Sequence, residues 1–134
     1  WRTTNIERWK NSVWQNVLLD EDYYWGSNAV ALQTNLLLAV GSKILGTYDR
    51  EIVDVSRANL NYILGVNPLR FSYVTGYGED CVKNIYSHIW THDDQPLPPP
   101  GYLAGGANQY EGKAFSRFAA KCYSDVNSEW TTNE

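Results

Sequence analysis

At 134 residues with 43% apolar content, the chain is about one domain long and carries enough apolar side chain for an ordinary core. A net charge of -4 with scattered Lys and Arg excludes the electrostatic footprint of nucleic-acid binding or of an anionic membrane surface, and a neutral partner fits better. The longest apolar run, Leu36 to Val40, is far short of the roughly 20 residues that span a bilayer, so soluble material is expected. With Trp1 first, no Met and no charged-then-apolar leader, the sequence reads as a processed or excised piece.

In chain order, Ile6, Trp9, Val13, Trp14, Val17 and Leu18 fall on one helical stripe, and Thr4-x-x-Glu7 reads as a capping box. The spacing predicts a helix over about 5–19. Asp20-Glu21-Asp22 ends it, and Tyr23-Tyr-Trp-Gly-Ser-Asn28 forms an aromatic loop, a candidate cleft edge, whose Ser27 is placed to cap the next helix. From Asn28 to about Leu45, apolar residues cover most of the helix circumference, the pattern of a helix with neighbours on several sides. Gly46 stops it, Asp49 is placed to cap a third helix running to about Leu64 before Gly65, and the short connection makes the pair antiparallel. So apolar a hairpin leaves uncovered surface that calls for further neighbours.

After Asn67-Pro68 the chain changes character, with Gly, Pro and Asn at nearly every turn over the next forty residues. Ser72-Tyr-Val-Thr-Gly-Tyr-Gly78 alternates like a short strand, and Pro96 to Gly101 reads as a stiff polyproline-like connector into Tyr102-Leu-Ala-Gly-Gly-Ala-Asn108. Irregular stretches of this length inside a compact domain are usually functional. A helical pattern returns from about Tyr110 to Lys121 and delivers the chain to Tyr123-x-Asp125-x4-Trp130-x3-Glu134.

Six Trp and ten Tyr are many for this length, and those in the Gly- and Pro-rich stretches suit a groove that binds the flat faces of sugars. Acids and aromatics crowd the terminal stretch in a way that suits a sugar ring edged by carboxyls, as glycoside hydrolysis requires. On spacing alone it reads more readily as a polar loop with a frayed end. No phosphate loop, nucleophile elbow or His-Glu-x-x-His helix is present. His88 and His92 have the spacing of a helical metal pair, but the surrounding Trp90, Thr91 and Asp-Asp-Gln-Pro read as loop, so no metal site is assigned. Cys81 and Cys122 match no metal-ligand spacing and no dense disulfide framework; they pair only if the fold brings them together.

Taken in order, Tyr23-Tyr-Trp-Gly-Ser-Asn28, Tyr62-Ile-Leu-Gly-Val-Asn-Pro68, Ser72-Tyr-Val-Thr-Gly-Tyr-Gly78, Pro98-Pro-Pro-Gly101 with Ala104-Gly-Gly-Ala-Asn108, and the terminal signature make the chain resemble the C-terminal part of a glycoside hydrolase family 9 catalytic domain. That resemblance implies an all-α fold, the C-terminal portion of an (α/α)6 barrel with long irregular active-site loops, with residues 1–134 as a fragment of one catalytic domain. It implies a cellulase that cleaves β-1,4-glucosidic bonds with inversion, Glu134 as general acid and Asp125 holding or tuning it. A protonated acid near neutral pH needs a raised pKa, from an apolar wall such as Trp130 or a neighbouring carboxylate such as Asp125.

The sequence departs from the family at Tyr86 and His88, where a histidine and an arginine usually contact the sugar beside the scissile bond. Both can still hydrogen-bond, without arginine's fixed charge and fork. Trp90 is a candidate stacking surface, and Ala107 replaces a common proline. The Asp-x-x-Asp motif that supplies the base in the family does not occur here, and inversion needs a base across a gap of roughly 6.5–9.5 Å. This chain is therefore expected to carry the acid side only and to be inactive alone.

The implied partners are cellulose or cello-oligosaccharide and the remaining part of the catalytic domain, with no nucleic acid or membrane, no required cofactor, a structural calcium in the parent as an option, and a secreted location. Cellobiohydrolase against endoglucanase stays open, as do a non-catalytic carbohydrate-binding pseudoenzyme and a bare helical interaction domain.

Overall fold

The computed structural model describes residues 1–83, 85 and 97–108. Among them the regular structure is helical: α1 spans Arg2–Asn11, α2 Ser27–Ile44 and α3 Arg50–Ile63, with a single 3-10 turn at Asp20–Asp22. The expected helix from Tyr110 to Lys121 lies outside the described residues.

The first helix is shorter than its apolar stripe predicts, and it starts earlier. Trp1 is its N-cap without a side-chain bond, so Thr4 lies inside the helix and no capping box forms there. Its end is set by Ser12 and Asn16, whose side chains offer the backbone partners outside the helix ladder. The Asn16 amide donates to Ser12 Oγ (3.3 Å) and the Leu18 amide to Asn16 Oδ1 (3.2 Å). Gln15 takes a left-handed φ of 51°. The turn leaves Val13 88% exposed while Val17 and Leu18 enter the core.

The second and third helices match their sequence signals closely. Both end in the same hydrogen-bond pattern: Thr47 N to Ser42 O with Gly46 N to Lys43 O, and Val66 N to Asn61 O with Gly65 N to Tyr62 O. Asp49 caps α3, its Oδ1 accepting from the Glu51 amide at 3.0 Å. Ser27, by contrast, is the first helical residue and not the cap; Gly26 takes that position, and the serine hydroxyl is used elsewhere.

The helices pack antiparallel, since Ala31 shares a core cluster with Tyr62 and Ile63 while Leu38, farther along α2, shares one with Ile52 and Val55. Burying each such aliphatic side chain contributes about 1.5–3 kcal/mol. Between the two clusters lies a polar seam in which Asn59 Nδ2 donates to Asn35 Oδ1 (2.8 Å) and Asn35 Nδ2 to Ser56 O (3.0 Å). The opposite face of α2 carries Leu36, Leu37, Val40 and Ile44 to the surface, Ile44 being 78% exposed. The all-round apolar pattern is thus only half satisfied by the described residues.

Residues 72–78 do not form the expected strand. They make two isolated bridges, Ser72 with Cys81 in parallel and Val74 with Leu103 antiparallel. Ser72, Tyr73 and Thr75 are all buried, so successive side chains do not divide between a wet and a dry face as a half-buried strand requires. Turns at Gly76 (φ 72°) and Gly78 (φ 92°) then end any ladder. Instead Thr75 is a knot: its Oγ1 donates to Pro99 O at 2.6 Å and accepts from Tyr102 N at 2.9 Å, while its carbonyl accepts from Gly101 N at 2.7 Å.

Candidate functional site

The aromatic loop before α2 and the Ala104–Asn108 segment, far apart in sequence, are built into one body. Asn28 N donates to Gly105 O at 3.0 Å, Asn28 Nδ2 to Ala104 O at 3.0 Å and Ser27 Oγ to Ala107 O at 2.8 Å. Ser27 and Asn28 are fully buried. The segment passes so close to them that a Cβ on Gly106 would lie 2.4 Å from Ser27 Oγ and 2.7 Å from Asn28 Cγ, and Gly106 has a φ of 110° that side chains rarely adopt. On its other side, Ala104 N donates to Tyr73 O (2.8 Å), and Tyr73 N to Ile63 O (2.8 Å). The start of α2 therefore holds the segment on one side, and Tyr73, itself tied to the end of α3, holds it on the other.

Immediately before this junction, Trp25 stands 61% exposed with Tyr24 edge-on to it, ring centroids 5.9 Å apart and planes at 85°. Gly26 leaves room for the Tyr24 ring, which would lie 3.2 Å from a Cβ there. An exposed indole braced by a second ring is a flat apolar surface with a polar edge, suited to a sugar ring. Tyr77 and Tyr102 are also exposed.

Beneath the junction, Tyr62 and Tyr73 are buried with rings 5.9 Å apart, and Phe71 packs edge-on to Tyr73 at 5.5 Å. Burial, then the neighbouring Tyr73 and Tyr23 hydroxyls, push the Tyr62 phenol far above its ordinary range, so it stays protonated. Tyr23 OH accepts from Asn16 Nδ2 at 3.1 Å, which joins the turn after α1 to this floor. Asn67 completes it, its Nδ2 donating to Tyr62 O and Phe71 O while its Oδ1 accepts from Leu69 N.

Of the residues assigned chemistry from sequence, Tyr86, His88, Trp90, Asp125 and Glu134 all lie outside the described residues, as do His92 and Cys122. The aromatic loop named as a cleft edge does carry an exposed indole. Sequence reading missed the grip of Ser27 and Asn28 on residues 104–107; the available signal was a Gly-Gly pair flanked by alanines, the composition of a segment approached closely by another backbone. Cys81 is half-buried and forms no disulfide among the described residues. Among those residues no three His, Cys, Asp or Glu side chains converge on a metal position, and no helix is long and apolar enough to cross a membrane. Among the described residues, open grooves also lie elsewhere: one of about 720 Å3 toward the far end of α2, beside Lys43, Tyr48 and Arg57, and one of about 550 Å3 beside α1, Trp14 and Tyr23.

Comparison with known proteins places these features. The sequence model of Glycosyl hydrolase family 9 matches residues 2–134. The chain is 36% identical over 122 residues to a cellulose 1,4-beta-cellobiosidase of Acetivibrio thermocellus, covering 84% of this chain and 13% of that protein. It is 32% identical over 124 residues to a cellodextrinase of Butyrivibrio fibrisolvens, covering 86% and 22%. Among solved structures, AaCel9A in complex with cellobiose-like isofagomine superposes with a TM-score of 0.80 at 26% identity over 98% of this chain and 26% of that one. A metagenome-derived glycoside hydrolase family 9 endoglucanase gives 0.69 at 31% identity, over 81% and 19%. The chain spans about a quarter or less of each of these relatives, and its fold is a portion of an (α/α)6 barrel.

Proposed function

Because the chain belongs to glycosyl hydrolase family 9, we propose that it forms part of the catalytic domain of a secreted enzyme hydrolysing β-1,4-glucosidic bonds in cellulose or cello-oligosaccharides. The observation that carries this reading is the junction of Trp25-Gly-Ser-Asn28 with Ala104–Asn108, since it fixes an exposed sugar-sized aromatic face against a loop of the same family signature. In this reading residues 1–134 are one continuous piece of a single catalytic domain, and its other helices cover the apolar face of α2 at Leu36, Leu37, Val40 and Ile44. No cofactor is required for the reaction, and a calcium ion in the parent would have a structural role.

The chemistry rests on two carboxyls on opposite faces of the scissile bond. Glu134 protonates the leaving oxygen, Asp125 holds or tunes it, and a base contributed outside this sequence activates water for inversion. Tyr86 and His88 hydrogen-bond the sugar beside the cleaved bond, and Trp90 offers a second stacking face. Exo action by a cellobiohydrolase is the alternative to endo cleavage, and the lengths of the products released from cello-oligosaccharides distinguish the two. The departures at Tyr86 and His88 favour one competing reading, a protein that binds the glucan without cleaving it.

Reducing-sugar release from cello-oligosaccharides by the intact protein, with Glu134→Gln alongside, tests the assignment. Loss of about 100-fold or more in kcat is expected for the variant, and NMR of the first product should show the α-anomer. Undiminished turnover in Glu134→Gln refutes the acid, a β-anomer refutes inversion, and binding without turnover in the parent supports the non-catalytic reading.

A further inference from the structure

Deepening that reading, we infer that Ser27, Asn28 and Gly106 are positioning residues that set the affinity of the site for its glucan by holding the Trp25 rim and the 104–107 segment as one rigid unit. The indole of Trp25 sits two residues before Ser27 on a short turn between the 3-10 turn Asp20–Asp22 and the start of α2. The three bonds from that start reach Ala104, Gly105 and Ala107, so three of the four carbonyls of residues 104–107 are fixed to it. Gly106 allows the approach: with any Cβ there, Ser27 Oγ and Asn28 Oδ1, at 2.4 and 2.8 Å, must be displaced. Both residues are fully buried at the first turn of α2, so a shift of either side chain disturbs packed neighbours.

This arrangement presents an exposed ring with its orientation already set. A sugar that stacks on Trp25 then need not order the rim, and the saved ordering cost appears as tighter ground-state binding, not as faster bond cleavage. The predicted signature is a rise in KM with little change in kcat. A role confined to stability would lower the unfolding temperature and the active fraction while leaving KM of the surviving enzyme alone.

The test uses the intact protein with cello-oligosaccharides, and follows Ser27→Ala, Ser27→Thr, Gly106→Ala, Trp25→Ala and the Trp25→Ala/Ser27→Ala double variant. Ser27→Ala should raise KM about five- to tenfold with kcat within about twofold, and Ser27→Thr, which keeps the hydroxyl, should recover much of the affinity. In the double variant the Ser27 effect should vanish, since its effect runs through the indole. Gly106→Ala is the severer change; if it does not fold, the Ser27 pair still decides. An unchanged KM in Ser27→Ala, a fall confined to kcat, or additive effects in the double variant overturns the inference. If the parent binds the oligosaccharide without turnover, Kd from tryptophan quenching replaces KM and the same outcomes decide. A parent that neither binds nor cleaves overturns the functional reading and this inference with it.

Discussion

Asn59 on α3 faces Asn35 on α2 across the seam of the helical pair, its Nδ2 donating to Asn35 Oδ1 at 2.8 Å while its own Oδ1 accepts from the Val17 amide at 3.1 Å. One buried side chain thereby ties both helices and the turn after α1, and both of these bonds span more than twenty residues of sequence. Such networks specify a single packing when fully satisfied and are costly when broken.

Asn59→Ala should therefore destabilise the protein by about 2–4 kcal/mol, because it leaves the Val17 N–H and Asn35 Oδ1 without these partners. Urea unfolding of the intact protein would show a lower midpoint with an unchanged slope. A shift smaller than about 0.5 kcal/mol would mean that the seam relaxes around the gap.

Gly76 and Pro100 form a second close approach, in which a Cβ at position 76 would lie 2.5 Å from Pro100 Cβ with a backbone φ of 72°. Gly76→Ala should cost at least about 1–2 kcal/mol from strain and overlap together. Adding Pro100→Gly relieves the overlap only, so the double variant should be more stable than the sum of the singles predicts. Simple additivity in thermal unfolding would show that the contact carries no strain.

Acid should loosen the junction of α1 with α3, where Arg2 pairs with Asp49 and Glu51 and Lys10 pairs with Glu51. Desolvation pushes Asp49 up, but the Arg2 hydrogen bond, the backbone amides of Glu51 and Ile52 and the charge of Arg2 outweigh it and hold the carboxyl low. The Lys10 hydrogen bond and charge do the same for Glu51. Groups with depressed folded values contribute stability that is present above the unfolded carboxylate range and lost as pH falls through the folded values. Melting temperature followed from about pH 6 to about pH 3 should fall less steeply in Lys10→Ala than in the parent, and salt should shrink the difference because the pairs are exposed.

Alkali acts through Tyr62, whose phenol is raised by burial first and by its tyrosine neighbours second. Its contribution is fully present below the ordinary tyrosine range and declines above about pH 10, where the unfolded chain ionises and the folded one does not. Tyr62→Phe should flatten the alkaline limb of the stability profile. An ultraviolet titration in which every tyrosine ionises together near the ordinary value, without unfolding, would contradict this.

The helices were legible because their signals are local. The α2 and α3 apolar periods, the stops at Gly46 and Gly65 and the cap at Asp49 each act within a turn or two. The end of α1 was misread because the stripe through Val13 and Val17 continues in letters while Ser12 and Asn16 redirect the backbone. Residues 72–78 alternate like a strand, yet their bonds go to Ile63, Tyr102 and Pro99, which no window of sequence brings together. The grip of α2 on the distant segment was invisible for the same reason, its partners lying 76 and 80 residues away. Motif resemblance named the catalytic candidates Asp125 and Glu134, which lie outside the described residues; among the described ones, the aromatic loop that carries Trp25 was legible and its anchorage was not.

The glycine at 106 also constrains how this protein can be recombined. Its missing side chain is matched to the size of two specific neighbours near the beginning of the chain, so neither segment can drift in volume without an answering change in the other. A chimera joined to a related enzyme anywhere between residues 28 and 104 inherits the two halves from different parents, whereas one that takes both from the same parent keeps a matched fit. Libraries shuffled for new specificity should therefore treat these two stretches as a single inherited block, although most of the chain lies between them.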